Sequence, residues 1–228
     1  MHLVLFDCDG TLIDSQAIIV ESMSAAFTAN GLPPPARAAI LEIVGLSLPI
    51  AVATLAGDKL HGAVADVTQS YKDAFQRLRA EPVDRMPLYP GAIEALDALA
   101  AEPDLVLGIA TGKSRRGLDA VIAKHGLEGR FVTLQTADDA PSKPDPTMIR
   151  RALVETGAKA SRTLLVGDTT FDMEMARAAG ARGLGVAWGY HPAERLVAAG
   201  AARVVDGFAE VPGAVEALFG RRATVTAS

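Results

Sequence analysis

Several polar residues with reactive side chains follow short apolar runs of the sequence. The runs are Leu3 to Phe6, Leu105 to Ala110 and Thr163 to Val166. The polar residues that follow these runs, or lie in the loop after the next strand-like segment, are Asp7, Asp9, Thr111, Lys143, Asp168 and Asp172. If the runs are parallel strands, ligands bind beyond their carboxyl ends, so we expect these residues to line one crevice.

Carboxylates crowded into one crevice repel one another, and a cation is needed to keep them ionised. Ligands that are all oxygen select a hard metal, and Mg²⁺ is the metal we predict, with a substrate phosphate completing its coordination. A single aspartate at such a position is more often a helix N-cap or a turn residue. Four aspartates at successive strand ends are poorly explained in that way.

The elements that would position these residues alternate along the chain. Continuous apolar runs indicate strands buried on both faces of a parallel sheet. Weaker strands are predicted at 131–135, 183–187 and 203–205, and helices at about 91–101, 114–125, 146–156, 171–179, 192–199 and 209–219. This alternation predicts an α/β fold, a doubly wound parallel sheet with a Rossmann-like core.

One segment interrupts the alternation. Between the first and second strands, residues 16–81 show helical patterns and no convincing strand. We expect about four helices there, forming a helical cap domain inserted after the first strand. The core domain would then consist of residues 1–15 and 82–228, with a frayed tail after Gly220.

Composition limits the classes of partner. The 228 residues carry 22 Lys and Arg against 27 Asp and Glu, a net charge of −5, which disfavours nonspecific binding to nucleic acid or anionic membranes. No run approaches the roughly 20 apolar residues of a membrane span. The single cysteine, Cys8, cannot form an intrachain disulfide and fits a reducing compartment. We therefore expect a cytoplasmic protein without a leader, and the sequence leaves monomer and homodimer equally open.

The most specific signal is the stretch from Asp7 to Ser15, with the sequence DCDGTLIDS. Three further motifs follow in order: Thr111-Gly112, Lys143-Pro144, and the segment GDTTFD that contains Asp168 and Asp172. Taken together over nearly the whole chain, these motifs resemble the haloacid dehalogenase-like hydrolases, in particular their capped phosphatase branch. The run IVGLSL from Ile43, together with the sequence TGK after the second strand, is similar to the phosphoglycolate phosphatase-like subgroup.

The resemblance implies a role for each carboxylate of the first motif. Asp7 would attack phosphorus and form an aspartyl-phosphate, which divides one difficult step into two. Asp9 would protonate the leaving alkoxide and later deprotonate the hydrolytic water, and its backbone carbonyl would bind the metal. The expected function is thus a Mg²⁺-dependent phosphatase for small organic phosphate monoesters similar to phosphoglycolate.

The resemblance also implies how the other motifs bind phosphate and metal. Thr111 and the Gly112 N–H would hold phosphate oxygens, and Lys143 would neutralise the nucleophile and the transferring phosphoryl group. Asp168 would be the second carboxylate ligand of Mg²⁺. Asp172 would not bind the ion directly; it would contact the ligands of the ion or a water molecule bound to it. The expected substrate is a small phosphorylated metabolite.

Two other functions remain open from the residues. A phosphosugar mutase of the same fold would return the phosphoryl group to a sugar, and we favour the hydrolase because such mutases often carry a bulkier residue in place of Thr11. A receiver-type signalling domain also groups Asp, Thr and Lys at strand ends. Such domains are about half as long and lack both the helical insertion and the late GDTTFD segment, so we place this function last.

Some residues near the motifs have two interpretations. The basic run of Lys113, Arg115 and Arg116 could make the electrostatic potential at the crevice more positive. We favour the alternative, in which the run lies on a solvated helix face and Ser114 is the N-cap of that helix. The turn from Gly45 to Ser47 either enters the crevice or ends one helix and begins the next. Trp188 and Tyr190 are expected at the crevice rim in packing roles.

Overall fold

A single parallel sheet forms the centre of the fold. The computed structural model describes residues 1–57 and 64–220, so residues 58–63 of the predicted cap and the predicted frayed tail after Gly220 lie outside the described residues. The described strands are β1 (His2–Phe6), β2 (Leu105–Ala110), β3 (Thr133–Gln135), β4 (Thr163–Gly167), β5 (Arg182–Val186) and β6 (Ala201–Val205). They lie in the order β3-β2-β1-β4-β5-β6, and every neighbouring pair is parallel. The predicted fold class is confirmed.

The continuous apolar run of β1 is explained by burial on both of its faces. Leu3 and Leu5 pack into the apolar cluster on one side of the sheet, and Val4 and Phe6 pack into the cluster on the other side. All four side chains are fully buried. A strand in this position has no polar face, so its sequence does not alternate.

A helical segment separates β1 from β2. Its helices are α1 (Gln16–Ala29), α2 (Arg37–Glu42), α3 (Leu48–Ala56) and α4 (Val64–Arg79). These helices bury an apolar cluster of their own, which includes Ile19, Met23, Phe27, Val52 and Val67. Within residues 1–57 and 64–220, no strand lies between β1 and β2, so the predicted helical insertion is confirmed. Its boundaries as a separate domain stay a prediction.

The remaining helices cover the two faces of the sheet. They are α5 (Ala92–Ala100), α6 (Arg115–His125), α7 (Thr147–Thr156), α8 (Thr170–Ala178), α9 (Ala193–Ala199) and α10 (Val211–Phe219). Ser114 is the N-cap of α6, as predicted, and its hydroxyl accepts a hydrogen bond from the Gly117 N–H. Among the described helices, none is both long enough and apolar enough to cross a lipid bilayer.

Candidate active site

The sheet brings the predicted site residues to one edge. Phe6, the last residue of β1, pairs with Ile109 of β2 and with Val166 of β4. The residues directly behind these positions therefore meet at the carboxyl ends of three neighbouring strands. The crevice there contains Asp7 after β1 and Thr111 after β2. Asp168 follows β4 and lies beside Asp7.

Three carboxylates form the centre of the site. Oxygens of Asp7, Asp168 and Asp172 lie within 4.8 Å of one another, and all three side chains are buried. Among the described residues, no group donates a well-aligned hydrogen bond to either oxygen of Asp7, and its nearby cation is Lys143. A buried carboxylate without hydrogen bonds is costly. Asp7 is therefore the group of this cluster that is open to a ligand.

Lys143 is the ammonium group of the cluster. Its Nζ lies 2.8 Å from Asp7 Oδ1 as an ion pair outside hydrogen-bond geometry, and it donates a hydrogen bond of 2.6 Å to Asp172 Oδ1. Three carboxylates and one ammonium give a charge sum of −2. A divalent cation with oxygen ligands would balance that charge, so the donor set fits Mg²⁺.

Asp168 and Asp172 are held by neighbouring groups. Asp168 accepts hydrogen bonds from the Thr11 hydroxyl at 2.7 Å and from the Tyr190 N–H at 2.9 Å. Asp172 Oδ2 accepts from the N–H and the hydroxyl of Thr169, which is the N-cap of α8 in a capping box. Both oxygens of Asp172 thus have protein donors, and its predicted indirect contact with a metal stays a prediction.

The electrostatics of the cluster show a shortage of positive charge. Burial raises the pKa of Asp7 to about 6, although Lys143 lowers it, and Asp172 raises it further. Burial also raises the pKa of Asp168 well above its ordinary value, and the charges of Asp7 and Asp172 add to the rise. Burial disfavours the charged form of Lys143, yet the facing carboxylates of Asp172 and Asp7 bring its pKa above the usual range.

The structure contradicts the solvated-face interpretation of Lys113. Its Nζ lies 2.8 Å from both carboxylate oxygens of Asp9, and its side chain is only 9% exposed. The ammonium group also lies 5.4 Å from the ring centre of Phe75 on α4. Burial lowers the pKa of Lys113, and the Asp9 carboxylate more than compensates, so the net shift is upward. Arg115 and Arg116 are exposed, as expected.

The sequence analysis missed the contact of Asp9 with Ser15 and the contact of Ser15 with Tyr190. The Ser15 hydroxyl donates a hydrogen bond of 2.7 Å to Asp9 Oδ1, and the Tyr190 hydroxyl lies 3.0 Å from the same Ser15 oxygen. The motif DCDGTLIDS contains Ser15, but neither the residue type of Ser15 nor its spacing from Asp9 predicts a contact with Asp9 or with a tyrosine that follows β5 in the sequence. Asp9 is thus held by Ser15 and Lys113, and its side chain lies outside the three-carboxylate cluster. The predicted metal contact through its backbone carbonyl stays a prediction.

Thr111 and Gly112 lie where the helical segment touches the strand end. Thr111 is buried, and its hydroxyl accepts a hydrogen bond from the Lys113 N–H. A Cβ atom at Gly112 would lie 2.3 Å from the carbonyl oxygen of Gly45. Only glycine therefore allows this close approach of the Gly45 turn.

The turn from Gly45 to Ser47 lines the crevice and is tied to the loop that carries Lys143. Its Ser47 N–H donates a hydrogen bond of 2.8 Å to the Ser142 hydroxyl. Ser47 is also the N-cap of α3, although its side chain makes no capping hydrogen bond. Gly45 does not end a helix, because α2 ends at Glu42. The two interpretations of the turn are thus combined, with Ser47 at the start of a helix and the turn in the crevice.

Gly10 and Gly189 allow the Asp168 loop to approach β1. Gly10 has a φ of 86°, and a Cβ atom there would lie 2.3 Å from both Asp168 Oδ2 and the Tyr190 ring. At Gly189 a Cβ atom would lie 2.1 Å from Asp168 Cβ. Trp188 donates a hydrogen bond to the Thr11 carbonyl and packs on Phe208, so it supports this region by packing, as expected.

Comparisons with known proteins agree with this geometry. The family model described as "Haloacid dehalogenase-like hydrolase" matches residues 4–186. A protein of Dickeya dadantii named "Probable phosphatase IndB" is 36% identical, with 95% of this chain and 94% of that protein covered. A "Phosphoglycolate phosphatase" of Agrobacterium fabrum is 31% identical, with 82% and 81% covered. The crystal structure of a hydrolase from Pseudomonas syringae superimposes with a TM-score of 0.83 at 27% identity, over 95% of this chain and 99% of that one.

Proposed function

The chain belongs to the haloacid dehalogenase-like hydrolases, and we propose that it is a Mg²⁺-dependent phosphatase for small organic phosphate monoesters. The observation that carries the proposal is Asp7. Its carboxylate is buried at a strand end beside Lys143, and among the described residues no donor occupies its oxygens with a hydrogen bond. Such an oxygen can attack phosphorus without first losing a hydrogen bond.

In the first step, an Asp7 oxygen bonds to phosphorus and the ester P–O bond breaks. This forms an aspartyl-phosphate and releases an alkoxide. The alkoxide takes a proton from Asp9, so that an alcohol leaves. Proton donation of this kind typically contributes about 10²–10⁴-fold in rate. The short sequence separation of Asp7 and Asp9 supports this division of work between them.

In the second step, Asp9 removes a proton from a water molecule as the water oxygen bonds to phosphorus. The bond between Asp7 and phosphorus breaks, and inorganic phosphate leaves. The ion pair of Asp9 with Lys113, and the hydrogen bond from Ser15, hold the Asp9 side chain in place for both proton transfers. We therefore assign Lys113 and Ser15 as positioning residues for Asp9.

The phosphoryl group would be held by Thr111, by the Gly112 N–H and by Lys143. Charge on the transferring group spreads over its equatorial oxygens, so donors fixed around them stabilise the transition state. Lys143 is fixed by its contacts to Asp7 and Asp172. The Gly45 turn closes this part of the crevice against Gly112.

Asp7, Asp168 and the Asp9 carbonyl would bind Mg²⁺. Asp172 would contact these ligands or a water molecule bound to the ion. The ion supplies positive charge to the phosphate oxygens and offsets the repulsion among the carboxylates. The carboxylate cluster and its negative charge sum support this choice of metal. The expected setting is the cytoplasm, since the one cysteine is a buried free thiol.

Substrate contacts beyond the phosphate would come from residues 16–81, the proposed cap, above a core of residues 1–15 and 82–228. The phosphate-binding groups of the core are the same for every monoester. The Agrobacterium fabrum relative is named a phosphoglycolate phosphatase, which supports a small organic phosphate as the substrate. The turn from Gly45 to Ser47 is the part of this segment that lines the crevice next to Gly112.

The test is phosphate release from phosphoglycolate and from p-nitrophenyl phosphate, with Mg²⁺ and with excess chelator. We expect Mg²⁺-dependent release, and a loss of kcat of at least about 10³-fold in Asp7→Asn. Asp206→Asn, at an exposed aspartate that is not among the residues lining the crevice, is the matched control and should keep full activity. Activity that persists in chelator would contradict the metal, and phosphoryl transfer to added sugar without phosphate release would favour the mutase.

A further inference from the structure

A cavity of about 330 Å³ extends from the catalytic carboxylates into the helical segment. It begins at Asp7 and Asp9 and continues between α1, α3 and α4. Its inner walls are mainly apolar, with contributions from Ile19, Met23, Val44, Ala51, Tyr71 and Phe75. The phosphoryl group and the metal would occupy only the end next to Asp7.

The apolar walls belong to the core of the helical segment. Ile19, Met23 and Val44 are members of its buried cluster, and Ala51 lies on the buried side of α3. Such side chains offer no hydrogen bonds to water, so an apolar group that displaces water from them binds favourably. A pocket of this volume lies at the lower end of the range used by drug-sized ligands, about 300–1,000 Å³. A two-carbon leaving group would leave most of it unfilled.

Lys113 contributes a buried positive charge next to Asp9, and the other cations of the cavity lie in its outer part. Lys72 and Arg79 of α4 and Arg116 of α6 line it there, and all three are exposed. Cations at the entrance of a cleft attract an anionic substrate, and the phosphate group supplies the anion. The inner part would then receive the other end of the molecule.

We propose that the preferred substrate is a phosphate monoester whose leaving group carries an apolar body, such as an aromatic ring, which occupies the space between α1, α3 and α4. This inference rests on the proposed phosphatase function and adds the chemical class of the leaving group to it. It differs from the glycolate leaving group, which carries a carboxylate on two carbons.

The experiment compares three phosphate esters of primary alcohols: ethyl phosphate, benzyl phosphate and phosphoglycolate. Their leaving groups are all primary alkoxides, and the benzyl ester differs from the ethyl ester chiefly by its aromatic ring. We expect kcat/KM for benzyl phosphate to exceed both others by at least about tenfold, since even one methylene in an apolar pocket is worth about that factor. A preference for phosphoglycolate or for ethyl phosphate would overturn the inference.

The substitution Ala51→Leu places a larger side chain in the cavity, and Ala53→Leu makes the same change on the exposed side of α3. Ala51→Leu should lower the ratio of kcat/KM for benzyl over ethyl phosphate by at least about tenfold. Ala53→Leu should leave that ratio unchanged. An unchanged ratio in a folded Ala51→Leu protein, checked by circular dichroism, would also overturn the inference.

A second variant covers the case in which Ala51→Leu does not fold. Met23→Ser makes one wall polar, and it should lower the same ratio; an unchanged ratio rejects the cavity as the leaving-group site. Failure of the inference and failure of the proposed function give different results. Hydrolysis with ethyl phosphate preferred contradicts only the apolar leaving group, whereas no Mg²⁺-dependent hydrolysis of any of the three esters contradicts the phosphatase function itself.

Discussion

At the scale of single residues, the four aspartates of the crevice have different surroundings. Asp7 has an ion pair and no described hydrogen-bond donor, whereas both oxygens of Asp172 have protein donors. Asp168 lies between these cases, with Thr11 and Tyr190 as donors. Asp9 lies apart, with Lys113 and Ser15. Residues of one type can therefore serve as nucleophile, support, metal ligand and acid or base because their partners differ.

The first prediction concerns Lys113, which we expect to position Asp9 for proton transfer. Lys113→Met keeps the length of the side chain and removes the charge that contacts both Asp9 oxygens. A misplaced acid slows esters with poor leaving groups, which need a proton, more than esters with good ones. We expect kcat for ethyl phosphate to fall about 10²-fold, and kcat for p-nitrophenyl phosphate to fall much less.

The control for Lys113 is Arg115→Met, which removes a charge from the same stretch of chain. Arg115 is exposed and pairs with Asp119, away from Asp9. It should change neither rate. Equal losses for the two esters in Lys113→Met would point to hydrolysis of the aspartyl-phosphate, which is common to both, or to folding, and would contradict a role of Lys113 in proton donation to the leaving group.

Side-chain partners of this kind are the part of the site that the sequence did not predict. The four motifs identify Asp7, Asp9, Thr111, Lys143 and Asp168 because each follows an apolar run or lies in a motif. Lys113 stands beside Arg115 and Arg116, and a run of three cations is typical of a solvated surface. Whether a long side chain turns toward the crevice depends on tertiary packing, here on Phe75 and Asp9, which lie far from it in sequence.

At the scale of elements, the strand ends and the helix starts decide where each group lies. The strands were predicted well because a strand buried on both faces has a continuous apolar run, as in Leu105 to Ala110, which matches β2 residue for residue. The start of β6 was predicted two residues late. Its first residues, Ala201 and Ala202, have small side chains and are not buried, so their sequence carries little strand signal.

The second prediction concerns the start of α8. The Thr169 hydroxyl accepts a hydrogen bond from the Asp172 N–H and donates one to Asp172 Oδ2. Thr169→Ala removes both, so we expect the free energy of unfolding to fall by about 1 kcal/mol. We also expect kcat to fall, because Asp172 loses a donor that fixes it beside Lys143.

Thr169→Ser is the matched control, since it keeps the hydroxyl and removes only the methyl group. Urea unfolding at equilibrium and steady-state kinetics measure the two effects. If Thr169→Ser lost as much activity as Thr169→Ala, packing of the methyl group would be the cause, and the capping box would have no part in the position of Asp172.

The third prediction concerns the contact between the end of β2 and the helical segment. A methyl group at Gly112 would lie 2.3 Å from the Gly45 carbonyl oxygen and 2.9 Å from that of Leu46. In Gly112→Ala the turn has to move away from the crevice, and a displacement of about 1 Å at a catalytic site can cost about 10²-fold in rate. We expect kcat/KM to fall by about this factor while the protein stays folded.

The control for Gly112→Ala is Gly213→Ala in α10, where a Cβ atom would have no neighbour within 4 Å. Alanine favours a helix over glycine, so this control should not destabilise the protein. Full activity in Gly112→Ala would show that the turn of Gly45 can lie farther from Gly112 without loss, and would contradict its predicted role in closing the crevice.

At the scale of the whole molecule, the helical segment has an apolar cluster of its own, and in addition Ile18 of α1 and Leu78 of α4 pack into the cluster of the sheet. Other contacts between the segment and the rest of the protein include the hydrogen bond from Ser47 to Ser142, the ion pair of Arg195 with Glu42, and the hydrogen bond between the His191 ring and the Glu42 carbonyl. An element with its own core and polar contacts to its neighbour can move as a unit. A cap that opens to admit substrate and closes to exclude water would have to separate these contacts.

The last prediction concerns the effect of the buried charges on the stability of the whole protein. Without a cation, the three carboxylates repel one another, and burial disfavours ionised Asp7 in particular. Mg²⁺ that binds only the folded protein stabilises it by about 2.7 kcal/mol at a hundred times its Kd. For a protein of this size, about 1 kcal/mol shifts the unfolding temperature by roughly 2–4 °C. We therefore expect a rise of several degrees when Mg²⁺ is added to chelator-treated protein.

The variant Asp7→Asn tests whether Mg²⁺ stabilises the protein by relieving the repulsion among the three buried carboxylates. It removes one buried charge whose oxygens accept no described hydrogen bond, so the metal-free variant should unfold at a higher temperature than the metal-free wild type. The same variant should gain less from Mg²⁺, because one ligand of the ion is weakened and less repulsion remains to be relieved. Asp206→Asn, at an exposed aspartate, should behave as the wild type does. Differential scanning calorimetry with and without Mg²⁺ measures both quantities. A wild-type protein that does not respond to Mg²⁺, or an Asp7→Asn protein that responds just as strongly, would contradict a metal site at Asp7.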